Sequence, residues 1–224
     1  MRKISAELHV HTRYSLDSLS EPQEILDAAM KKGLDTIAIT DHNSVEGAFE
    51  VERIAREKKL PMQVIIGEEV MCDEGDLLVY FVKKKIEPGP LARVLKEVNK
   101  QGAICCAAHP YDKTRTGIEL EKLPSQILGK IDAIETFNAR ATVGGNNALA
   151  EKFADKHGKK KFAGSDAHHP SEIGTAIVEF EGVGELTPKN MLTAKSKIHA
   201  KLSPTYVRFY SRWAVLQKRI FGRK

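Results

Sequence analysis

Cysteine is scarce in this chain: there are three, an odd number, and Cys105 and Cys106 are neighbours inside the apolar run Ala103 to Ala108, where they read as small core residues. That excludes a disulfide framework and favours a reducing, cytoplasmic setting. No Cys-x-x-Cys pair is present, which excludes a zinc finger. No apolar stretch approaches the roughly 20 residues of a membrane span, and Met1-Arg2-Lys3 runs straight into Ile4-Ser5-Ala6-Glu7. Secretion and membrane insertion are therefore not expected. Internal repeats are missing, and so are low-complexity segments apart from the basic patches Lys83 to Lys85 and Lys159 to Lys161. Acid is missing from one region: Lys201 to Lys224 holds seven Lys and Arg but no Asp or Glu, so with a net charge of +5 overall the remainder carries −2. A nearly neutral body with a basic tail lacks the broad positive field that would by itself indicate a nucleic-acid binder.

What is there is a β/α alternation. Strands are expected at Ile4 to His9, Thr36 to Thr40, Val64 to Gly67, Leu77 to Val82, Ala103 to Ala108, Ala133 to Phe137, Lys161 to Gly164 and Thr175 to Phe180. Helices fit between several of them: Glu21 to Lys32, capped by Ser20 and stopped by Gly33, then Val45 to Lys58, Pro90 to Gln101, Gly145 to His157 and Pro188 to Ser196. With 224 residues, this predicts one β/α domain over 1–200 and an appendage over 201–224. In the appendage Tyr206, Phe209, Tyr210, Trp213, Leu216, Ile220 and Phe221 recur at helical spacing among basic residues. Such a helix either packs its aromatic face over the domain, binds nucleic acid or an anionic membrane, or self-associates.

The polar residues separate a closed barrel from an open sheet. His9 and His11, Asp41 and His42, Glu68 and Glu69, His109, Glu135 and Asn138, then Asp166 and His168 all fall at or just after the C-terminal end of an expected strand. In a barrel those ends share one rim, which gathers residues from distant segments into one site. His9-Val10-His11 places two imidazoles on the same side of a strand, where both can reach one cation. Five of the eight histidines lie at such ends, leaving His157, His169 and His199 as bystanders.

The series ELHVHTRYSLDS, AITDHNS, IIGEEV, AAHPYD, IETFNAR and GSDAHH, from about Glu7 to Gly174, resembles in order the motifs of the polymerase and histidinol phosphatase (PHP) superfamily. The resemblance implies a distorted seven-stranded (β/α)7 TIM-like barrel that holds two or three divalent cations and hydrolyses phosphomonoesters or phosphodiesters. It implies His9, His11, Glu69 and Asp166 as ligands of one metal pair, with Glu69, the second glutamate of Gly-x-Glu, as the bridge. His42, His109 and His168 are implied as further ligands. Asp17 is the candidate acid after Ser15, although Leu16 intervenes. Near Leu77 to Phe81, where relatives often supply a His, this chain offers Asp76. Donors of this kind suit Zn, Mn or Fe.

Cations in such a site activate water, so no protein nucleophile is required. Gly164-Ser165-Asp166 is therefore read as a turn presenting Asp166, not as a serine nucleophile. Asp41 is expected to orient an imidazole, with direct ligation as its alternative. Arg115 and Arg140 are candidates to fork a non-reacting phosphate oxygen. The expected substrate is a phosphorylated small molecule, a nucleotide or a short oligonucleotide. The alternatives are an exonuclease that uses the basic tail on RNA or DNA ends, and a non-catalytic RNA-binding barrel subunit. Oligomeric state is left open.

Overall fold

The computed structural model describes residues 3–141 and 146–222, so the expected helix start at Gly145 and the tail residues Arg223 and Lys224 lie outside the described residues. The elements run β1 (Lys3–Val10), α1 (Pro22–Lys31), β2 (Thr36–Ile39), α2 (Glu46–Glu57), β3 (Gln63–Cys72), β4 (Gly75–Tyr80), α3 (Leu91–Gln101), β5 (Ile104–Ala107) and the short α4 (Ser125–Leu128). They continue with β6 (Ala133–Asn138), α5 (Asn146–Lys156), β7 (Lys160–Gly164), β8 (Ala176–Glu181), α6 (Pro188–Thr193), β9 (Ser196–Ala200) and α7 (Val207–Phe221).

One sheet takes all nine strands in the order β7-β6-β5-β4-β3-β2-β1-β8-β9. The sheet curls until its β7 side returns to β1. There Val10 bridges Ala167, with His11 N donating to the Ala167 carbonyl at 2.9 Å and Ala167 N to the His9 carbonyl at 3.2 Å. This makes a nearly closed, barrel-shaped sheet of nine strands, in which the closure joins the β7 side to β1. The hairpin β8/β9 pairs antiparallel to the first half of β1, on the edge away from β2. β9 was not expected: α6 stops at Thr193, and Ser196, placed in that helix by the sequence reading, begins a strand.

Nor is the sheet uniformly parallel. β4 runs antiparallel to both β3 and β5, because Asp73 and Glu74 alone connect β3 to β4, far fewer than the dozen or so residues of a parallel crossover. Gly75, at φ +133°, makes that turn possible.

Alternation along the strands divides the core. Leu78, Tyr80 and Cys106 join Leu8, Ala38, Ile65 and Phe162 in one cluster, whereas Leu77, Val79 and Cys105 join the α3 and α5 residues Leu91, Val94 and Phe153 in another. Ile25 and Leu26 of α1 and Val51 of α2 cover Ile37 and Ile39 in a third. The three cysteines are buried and free, as small core residues should be. At the N-terminal end of the strands, Gln63 exchanges hydrogen bonds of 2.7 and 2.9 Å with the Leu186 backbone, fixing the segment that leads into α6. The opposite rim is left for polar residues.

Candidate metal centre

The rim gathers its residues from strand ends and the loops that follow. His9 lies on β1 and Glu69 on β3, His11 and His42 follow β1 and β2, His109 follows β5, and Asp166 and His168 follow β7. His9, His11, Glu69, His109, Asp166 and His168 are buried, whereas His42 is half-buried. His109 (φ 27°) and Asp166 (φ 56°) both hold positive-φ backbone, a cost that non-glycine residues bear where the surroundings enforce a functional geometry. Gly164 is required by space, since a Cβ there would sit 2.3 Å from that of His9 and 2.8 Å from a Glu135 oxygen.

His9, His11 and Asp166 form one group that could hold a metal ion, and Glu69 Oε2 adjoins both of its imidazoles. His9 Nε2 lies 3.3 Å from Glu69 Oε2 and 3.6 Å from Asp166 Oδ1, and His11 Nε2 lies 3.4 and 3.3 Å from the same two oxygens. Ligands about 2.1 Å from a common tetrahedral ion stand about 3.4 Å apart, so each of these separations is one that two ligands of the same divalent cation can have. Glu69 also turns Oε2 to His42 Nδ1 at 3.1 Å and Oε1 to His109 Nε2 at 2.9 Å. Its neighbour Glu68 lies on the opposite face of β3 and accepts from Ile86 N at 2.8 Å. A second group joins His11, His42 and His168, and a third joins Glu69, Asp76 and His109. Asp17 lies against the second group, 2.9 Å from His168 Nε2 and 3.6 Å from His42 Nε2. His157, His169 and His199 belong to none of these groups.

Further partners set the imidazole tautomers. His9 Nδ1 donates to Glu135 at 2.9 Å, His11 Nδ1 to Ser15 Oγ at 3.2 Å and His168 Nδ1 to the Asp166 carbonyl at 2.8 Å, which turns each Nε2 toward the cluster's donors. The buried atoms His11 Nε2, His109 Nδ1 and Asp17 Oδ1 have no hydrogen-bond partner, which is costly for side chains without a ligand to satisfy them. The donors therefore fit the cations that the resemblance implied.

Charge shows the same need. Burial works against charging His9, yet Asp166, Glu135 and Glu69 drive it well above the usual histidine range. Burial, together with His168 and His42, instead holds His11 down to about 3. Glu69 and Asp166 stay ionised despite burial because cationic neighbours stabilise them, foremost His42 and His9 for the former and His9 and Arg115 for the latter. Without metal, the cluster balances its carboxylates with protons.

Several roles differ from those expected. Asp41 touches no imidazole. It accepts from Thr12 N at 2.7 Å, Thr12 Oγ1 at 2.7 Å and Ser15 Oγ at 2.6 Å, and it reaches His11 through the Ser15 hydroxyl. Direct orientation of an imidazole falls to Glu135, which also accepts from His109 N at 2.7 Å. Its strand-end position marked Glu135, but nothing in the sequence aimed it at His9. Ser165 Oγ turns to the His9 carbonyl at 3.5 Å, in keeping with a presenting turn. Ser20 does not cap α1; its hydroxyl donates to the His168 carbonyl at 3.0 Å and Glu21 takes the cap position.

Arg115 stands where a substrate contact was expected, bonded to Asp166 and Asp112. Arg140 gives its fork to Glu172, with two bonds of 2.7 Å, and Glu172 in turn accepts from His168 N at 3.1 Å. The expected phosphate fork at Arg140 is thus already engaged, because a buried guanidinium requires a carboxylate partner. Both arginines line a cavity of about 930 Å³ over the cluster, together with Asp17, His42, His109, Asp166 and His168, while Arg208, Ser211 and Arg212 of α7 supply another part of its lining.

Helix α7 packs only part of its aromatic face: Tyr210 is half-buried and stacks on His169, with ring centroids 4.2 Å apart. Tyr206, Phe209, Trp213, Leu216, Ile220 and Phe221 are exposed, Phe221 at 68% and Trp213, the least so, at 46%. The buried side holds Val207, Ala214 and Lys218. Polar bonds seat the helix: Arg140 Nη1 donates to Ser211 Oγ at 2.8 Å and Arg208 Nη2 to the Arg140 carbonyl at 2.9 Å.

Residues 7–118 match the PHP domain family and residues 144–195 the PHP-associated family. The chain belongs to the PHP domain family. This PHP protein is 34% identical over 148 residues to the uncharacterized protein MJ1587 of Methanocaldococcus jannaschii, covering 61% of this chain and 82% of that protein. Its fold is similar to a two-domain protein from Bacteroides vulgatus containing a predicted PHP-like metal-dependent phosphoesterase (TM-score 0.71, 18% identity), covering 89% of this chain and 65% of that one. It is also similar to PsfC from Pseudomonas syringae PB-5123 (TM-score 0.67, 16% identity), covering 99% and 100% of the two chains. Among the described residues of this PHP protein, no helix is long and apolar enough to cross a membrane.

Proposed function

We propose that this PHP protein is a metal-dependent phosphoesterase using two or three divalent cations, Zn, Mn or Fe, held by His9, His11, Asp17, His42, Glu69, His109, Asp166 and His168. The observation that carries the reading is the ring of His9, His11, Glu69 and Asp166 donor atoms 3.3 to 3.6 Å apart. When bound, the cations stabilise charge on the phosphoryl oxygens and activate the attacking water.

The chain's own residues hold that chemistry in place. Glu135, Ser15 and the Asp166 carbonyl fix three imidazoles with Nε2 inward. Asp166 Oδ2 also holds Arg115 on the cavity wall, where its guanidinium meets a non-reacting phosphate oxygen. Arg140 acts through Glu172, which carries the His168 amide. The substrate is a phosphorylated metabolite, nucleotide or short oligonucleotide. A second reading, an exonuclease on RNA or DNA ends, is favoured by Arg208 and Arg212 lining the cavity on a helix with exposed Phe209 and Trp213, which suits a backbone with stacking bases. The buried free thiols suit a reducing cytoplasm.

The test is to strip the protein of metal, reload it with Zn, Mn or Fe and screen an aryl phosphate, nucleotides and oligonucleotides. Turnover that requires metal and disappears in His9→Ala supports the proposal. Turnover equal in wild type and His9→Ala would contradict it.

A further inference from the structure

Lys218 does not follow the pattern of its own helix. Arg212 and Arg219 are exposed and Arg208 is half-buried, whereas Lys218 is 9% exposed. Its ammonium donates to the main-chain carbonyls of Arg13 and Ser15, and it pairs with no carboxylate among the described residues. A buried ammonium is costly unless something fixed accepts its protons. Here the acceptors are backbone oxygens more than 200 positions earlier in the chain.

Those carbonyls belong to the loop from β1 to α1 that carries Asp17. The loop is tied on either side of the aspartate, by Ser15 Oγ to Asp41 at 2.6 Å and by Ser18 Oγ to the His11 and His168 carbonyls at 3.1 and 3.0 Å. Between these ties Leu16 is exposed, and Asp17 makes no hydrogen bond to its own loop among the described residues. Asp17 faces His42 and His168 because of where the loop is held, and Lys218 is the side chain from outside the barrel body that holds it.

We propose that Lys218 is a positioning residue for the metal centre. Resting on the metal-dependent reading above, α7 clasps the Arg13–Ser15 backbone and keeps the Asp17 carboxylate against His42 and His168. Cation binding at this outer position then depends on the C-terminal helix. The inner position between His9, His11, Glu69 and Asp166 stands at strand ends and does not depend on it. Residues 207–221 lie outside both segments that match the family models, so the clasp stands on a part of the chain that those models do not describe.

The test reads metal binding, not turnover. Metal-free full-length protein is titrated with Mn²⁺ and with Zn²⁺ against a chromophoric chelator, for wild type, Lys218→Met, Lys218→Gln, Lys218→Arg, Asp17→Asn and the Lys218→Met/Asp17→Asn double variant. Lys218→Met is expected to weaken the outer class of sites by about tenfold or more and to leave the inner class within about twofold. Lys218→Gln, with fewer donors, should fall between, and Lys218→Arg should recover most of the affinity. On an Asp17→Asn background the Lys218→Met change should add little, since both act on one loop. Wild-type affinity in Lys218→Met, fully additive losses, or equal loss from both classes in Lys218→Gln would overturn the clasp. If Asp17→Asn weakens the outer class and Lys218→Met does not, the clasp alone fails. If Asp17→Asn changes nothing, the clasp fails together with the assignment of Asp17 as a ligand.

Discussion

The strand-end rim and helix α7 meet at one cavity but are built on opposite rules. On the rim, polar residues are buried in clusters that could hold metal ions. On α7 the usual order is reversed, with Lys218 buried and Trp213 and Phe209 exposed. A ligand set is constrained by chemistry and so leaves a mark at fixed points in the sequence. The packing side of a terminal helix is decided by the niche it meets, here two loop carbonyls and the Arg140–Glu172 pair.

The sharpest way to break this contrast is on the rim. Asp166→Asn should lower kcat/KM on an aryl phosphate by about 10³-fold or more, about 4 kcal/mol of barrier, with unchanged circular dichroism. A drop below tenfold would remove Asp166 from the centre. On the α7 side, Arg140→Met leaves Glu172 buried without its cation, which should cost about 3 to 5 kcal/mol in denaturant unfolding. A cost under about 1 kcal/mol would show that the pair does not hold the helix and the His168 amide.

Glu135→Gln tests the support beneath the rim. Losing the charged acceptor of His9 Nδ1 should weaken metal binding by about 10- to 100-fold, read by chelator competition.

A pH series separates proton from metal in the same pocket. Burial opposes a charge on His42, but Glu69 and Asp17 outweigh it and raise its pKa to about 10. A raised folded-state pKa stabilises the metal-free fold fully below the ordinary value of 6.5, and that contribution is lost as pH rises through about 10. The Tm of metal-free protein should therefore fall between pH 7 and 10, while metal affinity rises by up to about tenfold per pH unit as the competing proton leaves. Affinity that is flat over this range would contradict the exchange of proton for cation. The smallest effect belongs to the exposed stripe: Trp213→Ala should change stability by less than about 0.5 kcal/mol. A loss near 2 kcal/mol would mean that the aromatic side is covered in solution.

Most of the barrel was legible because alternating apolar runs and turn residues mark strands and helices locally. Ser196 to Ala200 was not, since its strand is mostly exposed and carries little of the apolar signal. The antiparallel β4 was missed as such because its apolar run looks the same in either direction, and the two-residue link before it gives the direction. At the site, His9, His11, His42, His109, Asp166 and His168 stood out by residue type and strand-end position, whereas Glu69 was separated from Glu68 only by the Gly-x-Glu motif of the resemblance. Glu135, Ser15 and Lys218 were hidden, because their roles come from the partners that the tertiary fold brings to them, 126 residues away for Glu135 and more than 200 for Lys218.

Crystals grown with Mn²⁺ or Zn²⁺ and measured at the metal absorption edge test the central claim most directly. The arrangement of donors predicts an anomalous peak among His9, His11, Glu69 and Asp166, with further density beside His42, His168 and Asp17. A well-ordered barrel with no peak within ligand distance of those four side chains would contradict it.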